Sequence, residues 1–179
     1  MNNLKDRNFN PDSIEGEYNV VALWTQFRGA RLRAGVLAGF LAGLMMQLFG
    51  VLMCAINGDD LAKPFKIAAL PFLGRDALAY GSVSGLVVGI IAFYILFGFL
   101  GMVYAHFTGT NHKGNLFGMG LTWGAFGWVF ITCLFSPSFR SYFEADIPRG
   151  TMFFAWMVYG LSLQSVAWFD PANPYTKKK

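Results

Sequence analysis

A chain of 179 residues that is 55% hydrophobic and only 13% charged is too apolar for an ordinary soluble domain. Its two cysteines cannot build a disulfide framework, and neither sits in a Cys-x-x-Cys pair that would suggest zinc. The net charge of +4 does not indicate nucleic acid, because the basic residues flank apolar runs instead of forming a patch of their own.

Residues 1–31 are expected to form a cytoplasmic N-terminal segment. The stretch 1–17 is too long and too acidic for the n-region of a signal peptide. The first apolar run is also longer than the roughly 7–15 residues of a signal core. It is therefore expected to direct membrane insertion and to stay in the mature chain. In 18–27, Val20, Trp24 and Phe27 fall at i, i+4 and i+7, ahead of Arg28 and Arg31. That pattern suits an amphipathic helix lying in the membrane interface; a continuation of the first span is the alternative.

Four apolar runs follow, at about 32–56, 84–107, 115–135 and 150–169, and Arg33, at the start of the first, is the one charged residue within them. Each reaches the roughly 20 residues that a membrane-crossing helix needs. The expectation is an all-α polytopic membrane protein, a four-transmembrane-helix bundle over 32–170 with an N-terminal interfacial helix and a basic cytoplasmic tail at 171–179. Coupled pumps generally place ionisable groups at membrane depth, and the runs offer none there.

Basic residues in short flanks set orientation. Lys5, Arg7, Arg28, Arg31, Arg33, Lys113 and Lys177–Lys179 would share one side; Lys63, Lys66, Arg75, Arg140 and Arg149 would share the other. Nine against five predicts both termini in the cytoplasm and, in a bacterium, an inner-membrane location with the outer loop 57–83 facing the periplasm. Pro64 and Pro71 interrupt the apolar part of that loop. It is expected to form short helices on the outer surface, either carrying function or simply covering the bundle end. Pro148 precedes the fourth run, where a helix start tolerates proline. Trp24, Tyr80, Tyr142 and Trp168 lie near span ends, as interfacial aromatics do.

Glycines at four-residue spacing predict close helix packing. Gly35, Gly39, Gly43 and Gly50 mark the first run, Gly85 and Gly89 the second, and Gly120 and Gly124 the third. Gln47, Tyr94 and Tyr159 lie within about two residues of the middle of their spans, with Thr122 nearby. They are candidates for a mid-membrane polar cluster that either meets a quinone headgroup or satisfies buried polar groups among themselves. His106 ends the second run. Only one histidine lies near a span, which excludes bis-histidine di-haem ligation and leaves His106 a hydrogen-bonding or quinone-edge role. Cys54 and Cys133 share a depth near the outer ends of their spans, either as a disulfide or as separate thiols. No catalytic constellation, metal-ligand set or Gly-rich phosphate loop appears, so no enzyme is expected.

The segments Ala34–Gly43, Lys63–Leu70, Gly98–Ala105, Leu121–Gly127 and Val158–Leu161 carry a resemblance. Over about Arg33–Asp170 the chain resembles an uncharacterised family of four-span bacterial inner-membrane proteins, a domain of unknown function. Members often have a histidine early in the last span, before Val-Tyr-Gly; here Ala155-Trp156-Met157 stands there, so no role is carried over. The resemblance implies a four-helix bundle and no particular activity. Function is expected to be that of a non-catalytic accessory or scaffold subunit in a larger membrane complex, of respiratory or photosynthetic type. It would bind no cofactor through ligands of its own, and its partners would be other membrane subunits and the bilayer, with lipid or quinone as ligands. The alternatives are a small oligomeric transporter or channel for a neutral or lipophilic solute, and a quinone-handling subunit.

Overall fold

The computed structural model describes residues 28–108, 112–131 and 148–170. Its helices are α1 (Gly29–Asn57), α2 (Lys63–Lys66), α3 (Leu70–Leu73), α4 (Val83–Thr108), α5 (Lys113–Val129), α6 (Arg149–Ser162) and α7 (Val166–Phe169). Tight 3-10 turns occupy Ile67–Ala69, Gly74–Leu78 and Leu163–Ser165, and no strand occurs among the described residues. Three rods are long and apolar enough to cross a membrane: α1, α4 and Arg149–Phe169. The third apolar run appears as α5, whose 17 residues rise about 26 Å, short of a bilayer core of about 30 Å. A π-turn at 130–131 carries the backbone further. The expected interfacial helix at 18–27, the polar loop after the third run and the basic tail lie outside the described residues.

Large apolar side chains face outward at four-residue spacing. Leu48, Leu52 and Ile56 do so on α1, and Ile91, Ile95 and Phe99 on α4. Such stripes suit acyl chains, whereas the core is built of alanine, glycine and aromatic rings. Helices cannot be driven together by hydrophobicity inside lipid, so close packing of small residues must hold them.

Two tight helix pairs result: α1 packs on α4 and α5 on α6, while α1 also contacts α6, and α4 barely touches α5. In the first pair Gly35 and Gly39 face Gly101. A Cβ on Gly35 would sit 2.5 Å from that of Ala105, and one on Gly39 would overlap the Phe97 carbonyl oxygen. In the second pair Gly120 and Gly124 face Gly160; a Cβ on Gly120 would lie 2.5 Å from the Gly160 oxygen. The other expected packing glycines take different neighbours. Gly43 abuts the rings of Phe93 and Phe97, and Gly50 abuts Pro64. Gly85 and Gly89 instead receive the carbonyls of Ala77 and Phe65 from the 57–83 loop.

That loop is folded into the bundle and does more than lie on it. Gly58 adopts the left-handed conformation (φ 71°) that closes α1, its N–H donating to the Cys54 carbonyl. Pro64 and Pro71 then each open a short helix, the position where a missing N–H costs nothing. Ala69, Leu70 and Ala77 become fully buried.

Leucine at Gly120 would strike backbone that cannot yield, and overpacking of this kind costs roughly 1–3 kcal/mol. Gly118, on the same helix, has open space around it. Gly120→Leu should lower the thermal midpoint of the purified protein, and Gly118→Leu should not; equal effects in a melting curve would remove the seam.

Candidate functional site

The two ends of the bundle are closed differently. At one, Arg31 from the first turn of α1 reaches the ends of α4 and α7. Its Nη1 donates to Asp170 Oδ2 at 2.8 Å and its Nε to the Ala105 carbonyl at 2.9 Å. Nη2 lies 3.4 Å from the Thr108 hydroxyl, which itself donates to the Tyr104 carbonyl at 2.9 Å. Both charged side chains are almost wholly buried, at 6% and 4% exposure. The first helix therefore begins earlier than the apolar run and carries a buried charge, contrary to the expectation that Arg31 belongs to a cytoplasmic segment ahead of the span. Hydropathy places Arg31 and Asp170 just outside the first and last runs, and no local pattern links residues 139 positions apart.

At the opposite, loop end, Lys66 is buried and donates to Asp60 Oδ2 at 2.7 Å and to the Ala79 carbonyl at 3.1 Å. Asp60 Oδ1 accepts the Ala62 N–H at 2.9 Å. The Lys66 ammonium, followed by that backbone N–H, holds the Asp60 carboxyl below its ordinary range.

Between this capped loop and the middle of the bundle lies a cavity of about 670 Å³. Its walls are the second half of α1, the loop, the central part of α4, Ile131 and the first turns of α6. They are almost entirely apolar; Met46, Met53, Ala92, Phe97, Met152 and Trp156 contribute. Asn57 and the ion pair of Asp59 with Lys63 (3.3 Å) stand at the loop side. Deep in the wall is Gln47, 2% exposed, whose Nε2 has no hydrogen-bond partner. Ser165 Oγ is also buried without one, but does not line the cavity.

The four residues of the expected mid-membrane cluster are not joined by hydrogen bonds to one another. Tyr159 is buried and donates to the Phe97 carbonyl at 3.1 Å. Thr122 donates to the Gly118 carbonyl of its own helix on an exposed face, and Tyr94 makes edge-on contacts with the rings of Phe40 and Phe93. Gln47 alone lines the cavity. His106 stands near the Arg31 end, beside Phe107, well over a helical turn beyond the α4 residues of the cavity. Cys54 is a buried free thiol in the cavity wall, and Cys133 lies outside the described residues. No group of three or more potential metal ligands occurs among the described residues. Tyr80 and Trp168, at opposite ends, are 93% and 74% exposed, as interfacial rings would be. Comparison with protein-family models, curated proteins and solved structures returned no match.

Removing one partner of a buried ion pair strands the other charge, at a cost of about 3–5 kcal/mol, whereas apolar replacement of both is far milder. Arg31→Leu and Asp170→Leu should each lower the melting midpoint strongly and the double variant should recover much of the loss; additive losses would contradict a closed pair. For Asp60 the folded-state value is depressed, so its contribution is complete above the ordinary value of 3.8 and fades as pH falls through the folded value. Hydrogen exchange in residues 61–78, corrected for intrinsic rates, should stay flat from neutral to about pH 5 and quicken below about pH 4. Asp60→Asn should flatten that profile.

Proposed function

We propose that this chain is a non-catalytic structural subunit of a larger membrane assembly. In this reading α5 is the fourth span, and the bundle sits in a bacterial inner membrane with both termini in the cytoplasm. The count of nine basic residues against five supports that orientation, and the resemblance of Arg33–Asp170 to four-span bacterial proteins supports the location.

The observation that carries the reading is a small-residue stripe with no other helix packed on it among the described residues. Gly114, Gly118 and Thr122 follow one another at four-residue spacing on the exposed face of α5. Gly118 has nothing within 4 Å of a Cβ position, and Gly114 meets only the ring of His112. Every other small-residue seam noted above is filled from within the chain. An unfilled seam of this kind suits the close approach of another membrane helix. The remaining strong polar groups favour a structural role, because Arg31, Lys66, Tyr104, Thr108 and Tyr159 are bonded to the chain itself.

Gentle solubilisation of native membranes and pull-down on this chain should recover stoichiometric membrane partners. An absorption spectrum of the eluate would report haem or pigment carried by them. Gly118→Leu should release the partners without unfolding the chain. A monomer in mild detergent, with no larger complex in native membranes, would refute the reading. Self-association alone would favour an oligomeric transporter.

A further inference from the structure

We infer that the loop-end cavity is a binding site for a neutral, elongated lipophilic molecule with a carbonyl oxygen at its inner end, Gln47 donating to that oxygen. Three observations define the ligand. First, the Gln47 amide is buried with its Nε2 unpartnered, a condition that native interiors avoid unless something else completes the bond. Water does not suit: an ordered buried water needs about 2–4 polar partners, and the described lining is almost entirely apolar, with Asn57, Asp59, Lys63 and Thr151 its other polar side chains. An acceptor on an apolar body does suit.

Second, the space is long. Gln47 and Asn57 both line it, and the ten residues between them rise about 15 Å along α1. A volume of about 670 Å³ falls within the usual range for small-molecule sites. Third, the charges at the loop side neutralise one another, since Asp59 pairs with Lys63, which favours an uncharged guest. Phe72, Ile95 and Phe99 combine cavity lining with exposure. They mark a mouth on the apolar outer face, where a molecule dissolved in lipid would enter.

Two sources supply such a carbonyl: a quinone ring and an acyl ester. The purified full-length protein in detergent would be titrated with decylubiquinone, methyl palmitate and hexadecane, with its thermal midpoint as readout. One or both carbonyl probes should give a saturable rise, and the stronger of the two names the source; hexadecane should give a weaker one. Gln47→Leu should weaken the carbonyl probe by about fivefold, the share of one hydrogen bond, and leave hexadecane unchanged. It should also raise the ligand-free midpoint, because it removes an unsatisfied group; a merely structural glutamine would lower it. Ala155→Phe, which fills the cavity from a lining position, should abolish all three responses and also decides the matter if Gln47→Leu does not fold. The inference is overturned if no probe binds saturably, if hexadecane matches the carbonyl probes, or if Ala155→Phe leaves binding intact.

Discussion

The missing side chains of Gly39 and Gly101 set the geometry on which most of this bundle depends. Within α4 the Phe97 carbonyl already accepts an intrahelical bond from the residue one turn on, which is Gly101. With no Cβ at Gly101, α1 settles directly over that turn, and with none at Gly39 it comes within contact of the carbonyl itself. The oxygen retains a second lone pair, and the Tyr159 hydroxyl of α6 donates to it. One backbone group thus touches three helices. The rings of Phe93, Phe97, Trp156 and Tyr159 stack and cross around it, so the aromatic core is placed by a glycine contact.

The same closeness makes the Arg31 contacts reachable. Gly35 lets α1 lie against Ala105, and the Arg31 Nε donates to the carbonyl of that alanine. In a medium of low polarity a buried guanidinium needs several partners to be tolerated, and a carboxylate, a carbonyl and a hydroxyl are among those Arg31 has. Because the carboxylate follows the last helix, the pair also fixes where that helix ends against the first. At the loop end Lys66 plays a similar part over a shorter sequence distance, holding the 57–83 loop in the shape that lets Gly85 and Gly89 receive it.

Much of the helix layout was legible because hydropathy and helix length are local properties. The runs at 84–107 and 150–169 differ from the observed helices by a residue or two, and Pro64, Pro71 and Pro148 mark helix starts. The glycines announced close approach but not its object. A glycine row looks the same whether a helix, a ring or a loop carbonyl fills it, which is why Gly85 and Gly89 read as a span contact. The Arg31–Asp170 pair and the cavity had no local signal, since both arise from residues distant in sequence that meet only when the helices are paired.

Gln47 and the α5 stripe depart from the pattern that most of the bundle follows, in which polar groups are bonded and small-residue faces are filled. A departure from local consistency usually marks a place where stability has been exchanged for function. The two departures are also separated along the bundle. The stripe ends at Thr122, and the nearest cavity-lining residue along the chain among those described is Ile131, in the π-turn after α5, nine residues or about 14 Å further along. The cavity mouth lies on α4 and the loop, whereas α4 barely touches α5. A helix docked on the stripe would therefore leave the mouth open, so that a partner-binding face and a lipophilic site can serve one subunit without excluding each other.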